Sequence, residues 1–399
     1  DLSGSNIAAK GVGDDGEINF ANANLANADL SGSNISAEGG DDGKIIFNEA
    51  NLANADLSGS TLSAKGVGKD GKIDFSAAHL TNADLSGSTL AAEGGAYGNI
   101  NFYELYSWSS GRSGSDLSGS DLSGSTLAAE GGEYGSINFK HANLTNADLS
   151  GSTLAAEGLG DDGESPNSQI IFRYADLPNA DLSGSNIAAK GVGDDSKIDF
   201  RNADLADADL SGSNISAEGG HDGEIEFTLA DLANADLRGS TFAAKGVGGE
   251  GFINFVNADL ANADLSGSTL AADGGVTASI RLNSARGGGN VDLSGSTLAA
   301  EGGDEGIINA QQVDFHNANM SGLTVSAKGG KKGSLAFQAL NFANADLSGS
   351  TLTAEGGDYG AIEFQVADLT NADLSGSTLS AKGVEKDGEI NFNAADLAN

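Results

Sequence analysis

The sequence contains no cysteine, and it has only two prolines, one methionine and one tryptophan among its 399 residues. Without cysteine there is no disulfide framework and no thiol chemistry. Aromatic residues make up 6% of the chain, whereas glycine occurs 60 times. So few large side chains cannot fill the close-packed core of an ordinary globular domain. The composition instead suits a narrow, regular core that is filled largely by small residues.

Positive charge is also scarce, because 20 basic residues stand against 57 acidic ones and the formal net charge is −37. Such a surface repels the phosphates of nucleic acids and the headgroups of anionic membranes, so we expect no nucleic acid as a partner. No apolar run approaches the roughly 18 residues of a membrane-spanning helix, and we expect no membrane insertion. The charge suits a medium rich in salt or calcium, or a cationic partner.

Residues for catalysis are sparse and scattered. The four histidines are His79, His141, His221 and His316, and none stands in a motif with a nucleophile or a metal-ligand spacing. No glycine-rich loop has the pattern that cradles phosphates. An active site is normally a place where an internal repeat fails, and most of this chain repeats. The sequence therefore predicts a protein that is not an enzyme.

One unit recurs along almost the whole chain. The motif DLSGS, or a near copy of it, is followed by Thr-Leu or Asn-Ile and then by a charged residue and glycines. Fourteen such units begin at residues 1, 29, 56, 84, 121, 148, 181, 209, 236, 264, 292, 319, 346 and 373. Most units are 27 or 28 residues long, and those that begin at 84 and 148 are longer. A period of this length predicts a stacked array in which each repeat buries its neighbours.

Each unit contains three steps of five residues, for example 23–27, 28–32 and 33–37, with the order small, polar, Leu or Ile, small, small. This pattern resembles the pentapeptide-repeat proteins. The resemblance implies a right-handed quadrilateral β-solenoid in which the central Leu and the residue two before it point inward. The other 12 or 13 residues of the unit depart from the family pattern. They are a turn rich in Gly and Asp, followed by alternating apolar and polar residues, which predict a short strand.

We therefore predict an all-β fold, a right-handed parallel β-solenoid of about 14 coils with 27–28 residues each, continuous over residues 1–399. Each coil would have three pentapeptide-like faces and one longer arm. Coils that stack about 4.8 Å apart would give a rod of roughly 65 Å. We expect loop insertions near 103–114 and 164–169 and an irregular coil at 276–290, where the repeat changes.

The aspartate that begins each unit defines a column of equivalent residues on successive coils, with Asn319 as its one asparagine. Like charges at this spacing repel by about 0.8 kcal/mol per pair even in bulk water. Salt, backbone hydrogen bonds or a divalent ion must offset that repulsion, and a Ca²⁺ ion could bridge carboxylates of adjacent coils. The alternative is a solvated acidic stripe. The candidate calcium ligands are Asp29, Asp56, Asp84, Asp121, Asp148, Asp181, Asp209 and Asp236.

Aromatic residues concentrate where the repeat is interrupted. Amphipathic aromatic side chains and arginine favour contact surfaces. The segment could bind a protein or carbohydrate partner or form a lateral filament contact, or it could be a surface loop that packs on its own rod. The candidate contact residues are Tyr97, Tyr103, Tyr106, Trp108, Arg112 and Tyr134.

The leading functional prediction is a non-enzymatic structural protein, a rigid acidic rod of an extracellular or cell-surface filament or adhesin. Because the sequence begins and ends inside a repeat, we expect its partners to be copies of itself or further repeats of a longer chain, with a carbohydrate or cell-surface partner as another candidate. An alternative is an ice-binding solenoid that uses the Thr or Asn directly after DLSGS, such as Thr61 or Asn34. The family resemblance implies a third possibility, an acidic DNA mimic that binds gyrase, but the longer coil argues against it.

Overall fold

The computed structural model describes residues 1–103, 114–158, 160, 168–193, 195–286, 290–384 and 388–398. The chain divides into two compact units, Asp1–Asp204 (unit 1) and Leu205–Asn399 (unit 2). In the described ranges every regular element is a β-strand. The same ranges contain no helix long and apolar enough to cross a lipid bilayer.

Unit 1 contains two parallel sheets of seven strands each. The strands of its first sheet are β1 (Asn6–Lys10), β3 (Asn34–Gly39), β5 (Thr61–Gly66), β7 (Thr89–Gly94), β9 (Thr126–Gly131), β11 (Thr153–Gly158) and β13 (Asn186–Gly191). The strands of its second sheet are β2 (Gly16–Asn19), β4 (Gly43–Ile46), β6 (Asp70–Asp74), β8 (Tyr97–Asn101), β10 (Tyr134–Asn138), β12 (Ser168–Ile171) and β14 (Ser196–Asp199).

Unit 2 has the same two kinds of sheet, again with seven strands each. Its first sheet contains β15 (Asn214–Gly219), β17 (Thr241–Gly246), β19 (Thr269–Gly274), β21 (Thr297–Gly302), β23 (Thr324–Gly329), β25 (Thr351–Gly356) and β27 (Thr378–Gly383). Its second sheet contains β16 (Gly223–Glu226), β18 (Glu250–Asn254), β20 (Thr277–Arg281), β22 (Glu305–Asn309), β24 (Lys332–Ala336), β26 (Tyr359–Glu363) and β28 (Gly388–Asn391).

Strands of adjacent coils pair in parallel and without a shift of register, so each residue lies beside its own counterpart. Thr126, for example, pairs with Thr153, and Leu127 pairs with Leu154. One strand from each sheet belongs to every coil, which gives seven coils in each unit. The predicted all-β parallel solenoid of about 14 coils is confirmed.

The structure adds detail to the predicted faces of the coil. The first two five-residue steps form tight turns that are joined to neighbouring coils by single bridges, such as Asn24 to Asn51 and Asp29 to Asp56. The third step continues instead into a six-residue strand, as in β3. The alternation of buried and outward residues along that strand shows an extended face rather than a third pentapeptide turn. Each coil therefore has two short turned faces and two strand faces.

The core consists of columns of identical or similar side chains. Leu30, Ile35 and Ile45 are fully buried, so the predicted inward position of the central Leu or Ile is confirmed. Ser33, two residues before Ile35, is also inward and 1% exposed. Phe47 and Phe75 stack with ring centroids 4.8 Å apart and an interplanar angle of 2°. Parallel strands place residues about 4.8 Å apart, which is also a favourable distance for stacked rings.

The corners of the coil need a backbone that turns in the left-handed sense. Gly32 has φ +59° and Asn27 also has φ +59°, as do their counterparts on other coils at similar values. Asparagine tolerates this conformation better than other residues with a side chain. The side-chain amides also bond to one another along the column, and Asn262 donates to Asn234 at 3.0 Å. The asparagines therefore form a hydrogen-bonded column at this corner.

The interruptions of the repeat are described only in part. Residues 104–113 and 161–167, which include most of the predicted insertions, lie outside the described residues. In the irregular coil, β20 keeps its register with β18 and β22. Leu282 replaces the usual Phe there, and Arg286 takes the bridge position next to Asp259. A single continuous solenoid over residues 1–399 stays a prediction.

Candidate functional site

The aspartate column lies on the second turned face, where its residues bridge along the coils of each unit. Asp56 is bridged to Asp29 and to Asp84. Its Oδ1 atom accepts the backbone N–H of Ser58 at 2.9 Å and the Ser58 hydroxyl at 2.6 Å. Hydrogen bonds to the ionised form offset part of the repulsion between neighbouring carboxylates. One of the three predicted compensations is therefore present, and the calcium sites stay a prediction.

Hydrogen bonds lower the pKa of two carboxyl groups in the aspartate column, those of Asp236 and Asp373. The pKa of Asp236 lies below its ordinary value because the Arg238 side chain donates to it, with Nε 2.8 Å from Oδ1. The pKa of Asp373 is lowered chiefly by the backbone N–H of Ser375 at 2.8 Å. These carboxylates hold their protons more weakly in the folded chain than in the unfolded one. They stabilise the fold above pH 3.8, and that contribution is lost as pH falls through the folded pKa.

Replacing Asp236 by asparagine tests this linkage. We expect the Asp236→Asn variant to unfold at a lower urea concentration than the wild type at pH 7, because the Arg238 ion pair is lost. The difference should shrink as pH falls below 3.8 and through the lowered folded pKa, because the wild-type carboxyl then becomes protonated as well. Asn319 occupies the same column naturally and accepts the Ser321 hydroxyl at 2.9 Å, so asparagine fits the site. A difference that stays constant as pH falls would contradict the assignment.

The predicted aromatic contact residues are only partly brought together. Tyr97 and Tyr134 lie on adjacent strands of the second sheet, with ring centroids 6.4 Å apart and an interplanar angle of 57°. Tyr103 lines a separate groove with Lys72 and Asp74. Tyr106, Trp108 and Arg112 lie outside the described residues. The pair of Tyr97 and Tyr134 therefore lies apart from the groove that contains Tyr103, and a shared contact surface stays a prediction.

The Thr and Asn residues after DLSGS form an outward row on the first sheet. In unit 2, six successive strands carry a threonine at this position. Because each pair of strands is in register, every threonine lies directly beside the next one. The next outward position holds Ala, Ser or Thr, and the one after it is charged. The six threonines are Thr241, Thr269, Thr297, Thr324, Thr351 and Thr378.

The charged row at the end of the first sheet mostly alternates in sign, and its ion pairs follow that alternation. Lys10 lies 2.9 Å from Glu38, and Lys382 lies 2.9 Å from Glu355. The alternation fails in unit 1, where Glu93, Glu130 and Glu157 are direct partners on β7, β9 and β11. Such a run of like charges has no stabilising role within the sheet.

These three glutamates line a groove of about 360 Å³, which we call the glutamate groove. Lys65, which lies 2.6 Å from Glu93, borders it at one end. Glu130 and Glu157 are exposed and form no ion pair with another described residue. The other lining residues are Gly66, Val67, Gly94, Gly95, Gly131 and Gly132.

A cluster of cations lies at the far end of the second sheet in unit 1, directly after the stacked phenylalanines. Lys140, Arg173 and Arg201 follow Phe139, Phe172 and Phe200 on consecutive coils. Together with His141 and Tyr174, these cations form what we call the basic patch.

Both arginines bind the same carboxylate. Arg173 Nε lies 2.8 Å from Asp199 Oδ2, and Arg201 Nε lies 2.8 Å from Asp199 Oδ1. The Asp199 side chain is only 2% exposed, whereas both arginine side chains are about one third exposed. The buried carboxylate therefore fixes two guanidinium groups on neighbouring coils at the surface.

An aromatic ring extends the basic patch. Tyr174 stacks on His141 with ring centroids 5.0 Å apart, and Tyr174 is 47% exposed. The pKa of His141 lies below its usual value because of burial and the nearby Lys140, so its imidazole is neutral at pH 7. Three cations therefore lie close together on an acidic chain, with the carboxylates of Asp199 and, beside His141, Asp176. Sequence reasoning missed this patch, although the dipeptides Phe-Lys and Phe-Arg at equivalent positions signal it.

Comparisons with known proteins agree with the repeat. The family model for pentapeptide repeats matches in eight copies, with matched residues 16–36, 136–155 and 196–216. No curated protein sequence matches the chain.

Three solved structures are similar to the chain. One is HetL, a pentapeptide repeat protein involved in heterocyst differentiation regulation from the cyanobacterium Nostoc, at 17% identity over 88% of this chain and 87% of HetL, with a TM-score of 0.19. Another is QnrB1, a plasmid-mediated fluoroquinolone resistance protein, at 16% identity over 80% of this chain and 91% of QnrB1, with a TM-score of 0.20. A third is a pentapeptide repeat protein from the Arabidopsis thaliana thylakoid lumen, at 26% identity over 37% of this chain and 63% of that protein, with a TM-score of 0.13.

The family match falls on the segments that form the turned faces and their adjoining strands. In those segments the leucines point inward and the coils pair in parallel, as the resemblance implies. The matched segments are thus similar to pentapeptide repeats, and the coil geometry agrees with the β-solenoid fold that this similarity implies.

Proposed function

We propose that the chain is a non-enzymatic structural element, an acidic solenoid of an extracellular or cell-surface filament or adhesin that assembles with copies of itself or with further repeats. The observation that supports this most directly is the uniformity of the coils. The same outward residues recur in register on successive strands. A surface of this kind serves a spacer or a shaft, since it offers repeated contacts of equal strength along its length.

Electron microscopy of the purified chain over a range of concentrations tests the proposal. We expect filaments or lateral assemblies that lengthen as the concentration rises. Antibody labelling of the native cells should then place the protein at the cell surface. A monodisperse monomer at all concentrations would contradict the assembly role, and labelling confined to the cell interior would contradict the location.

We also propose that calcium stabilises the aspartate column. The Oδ2 atoms of Asp56 and Asp84 accept no hydrogen bond from another described residue, so one oxygen of each is open to a cation. We expect calcium chloride to raise the melting temperature above that in sodium chloride of equal ionic strength, and EDTA to reverse the effect. Equal melting in the two salts would show that screening alone stabilises the column.

Ice binding is a second candidate, and the uninterrupted row of six threonines in unit 2 favours it. The row presents hydroxyl and methyl groups at a regular spacing on one sheet. If this surface binds ice, the wild type will show thermal hysteresis and a Thr297→Lys variant will lose it, since a long charged side chain disrupts the flat row. The absence of hysteresis in the wild type would eliminate this candidate.

A further inference from the structure

We propose that the basic patch of one copy docks into the glutamate groove of a second copy, so that the chain assembles laterally through two different surfaces of unit 1. The inference rests on the proposed self-assembly and specifies the surfaces that carry it. Neither surface follows from the repeat, because each is a place where the repeated residues are replaced.

Charge complementarity is the first argument. The chain has a net charge of −37, and the basic patch places three cations on consecutive coils of it. Three glutamates lie side by side in the glutamate groove, whereas only two lysines flank them, Lys65 beside Glu93 and Lys190 as the strand partner of Glu157, so the groove keeps an excess of negative charge. A second copy carries both the positive patch and the negative groove. Each surface can therefore be neutralised by another copy, without a different partner.

The spacing of the charges is the second argument. Glu130 and Glu157 are direct partners on adjacent strands. Arg173 and Arg201 also lie on adjacent coils, because the Tyr174 N–H donates to the Arg201 carbonyl at 3.1 Å. Adjacent parallel strands lie about 4.8 Å apart in any such sheet. The backbones that carry the two arginines and the two glutamates therefore have the same axial spacing, so that one arginine can face each glutamate.

The arginine side chains are preorganised for such pairing by their bonds to Asp199. Asp199 engages the Nε and Nη2 atoms of both side chains, which leaves Nη1 of each without a bond to that carboxylate. A guanidinium has five N–H donors and binds carboxylates in a planar, bidentate manner. Because Asp199 already holds the two guanidinium groups in place, binding of a carboxylate would cost little further side-chain conformational entropy.

Shape is the third argument. Tyr174 projects beside the arginines and is 47% exposed. The glutamate groove has backbone glycines along its length and Val67, which is 64% exposed, among its lining residues. An exposed ring of one copy can thus bury apolar surface against glycine backbone and Val67 of the other. Such aromatic anchors carry much of the energy of protein interfaces.

In this proposal the contact between the two surfaces repeats head to tail rather than closing into a reciprocal dimer about a two-fold axis. Contacts of this kind generate open assemblies when they repeat. Each copy would present one unused patch and one unused groove to further copies, which is the behaviour expected of a filament or a lateral array.

Sedimentation velocity of the full chain in 0.15 M sodium chloride, about the physiological ionic strength, tests the proposal with two variants. The first is Arg173→Gln with Arg201→Gln, whose amides can still donate to Asp199. The second is Glu130→Gln with Glu157→Gln in the groove. We expect each variant alone to self-associate about 30-fold more weakly or worse than the wild type. Circular dichroism and melting curves verify that both variants remain folded.

Mixing the two variants gives the sharpest result. The patch variant keeps an intact groove, and the groove variant keeps an intact patch, so an equimolar mixture should form dimers that cannot grow. As a matched control, Asp273→Asn with Glu301→Gln removes the same charge from the same row in unit 2 and should associate like the wild type. If the arginine variant does not fold, the groove variant mixed with the wild type should shorten the assemblies.

The outcomes separate the two proposals. A wild type that stays monomeric contradicts both the assembly role and the docking, whether or not the patch then binds a sulfated polysaccharide. A wild type that assembles, with variants that assemble equally well, contradicts only the docking of these two surfaces. Weakened variants whose mixture stays monomeric also contradict it, because a heterologous contact must be restored by mixing.

Discussion

Replacing Gly131 by alanine is expected to lower the free energy of unfolding by about 3 kcal/mol or more, the largest effect that we predict for a single methyl group in this chain. Gly131 ends strand β9 at the turn to the second sheet. A Cβ atom at this position would lie 2.0 Å from the Tyr134 carbonyl oxygen and 2.6 Å from the Ala96 carbonyl oxygen. Both atoms are backbone, so relief requires the turn or the neighbouring coil to move and interrupts the hydrogen bonds between coils.

Gly124 in the same coil provides the matched control. It has φ +59°, and a Cβ atom there would meet nothing within 4 Å. Asparagine adopts this backbone conformation in the neighbouring asparagine column, for instance at Asn146 with φ +56°. We therefore expect Gly124→Asn to change the free energy of unfolding by no more than about 1 kcal/mol. Urea unfolding of both variants measures the difference, and equal losses would contradict the distinction between the two glycines.

Replacing Phe139 by alanine is expected to cost about 3–5 kcal/mol of unfolding free energy. The Phe139 ring is fully buried and stacks between Phe102 at 4.6 Å and Phe172 at 5.0 Å. Truncation removes both ring contacts and leaves a cavity between two coils. The backbone cannot close that cavity, since the strands on either side are held at a fixed spacing by hydrogen bonds.

Two further variants interpret the result. Phe139→Leu should cost less than half as much, because leucine fills most of the volume and Leu282 occupies the equivalent position in unit 2. Val247→Ala, at a side chain that is 60% exposed, should change stability by no more than about 0.5 kcal/mol. Chemical unfolding followed by far-UV circular dichroism checks all three. A loss for Phe139→Ala as small as that for Val247→Ala would show that the stacked column does not stabilise the solenoid.

Much of the fold follows from the sequence because the chain repeats itself. When units of equal length stack in register, each side chain meets its own counterpart, so local periodicity already predicts tertiary contacts. The inward leucines were predicted in this way and are confirmed, and the phenylalanine rings and asparagine amides line up along the coils for the same reason. The third five-residue step keeps the inward Ser33 and Ile35 of the predicted pentapeptide-like face, but its composition did not reveal that it continues into β3.

The repeat alone does not distinguish two columns that consist entirely of glycine. Gly124 and Gly131 recur equally faithfully, yet one turns the backbone with positive φ and the other allows two backbone segments to approach. That difference depends on atoms of neighbouring coils. The basic patch and the glutamate groove also depend on atoms of neighbouring coils, so the repeat alone does not reveal them.

The sequence by itself determined the coil period, the parallel stacking and the identity of the core columns, since all of these repeat. Only the tertiary structure decided which of the residues that depart from the repeat lie next to each other. Arg173 and Arg201 approach Asp199 from neighbouring coils, and the coil that carries Arg173 is one of the two lengthened by an insertion. The strands after that insertion nevertheless return to register, with Ser168 beside Gly135. Register is set by hydrogen bonds between strands rather than by residue count, so spacing along the chain could not reveal this cluster.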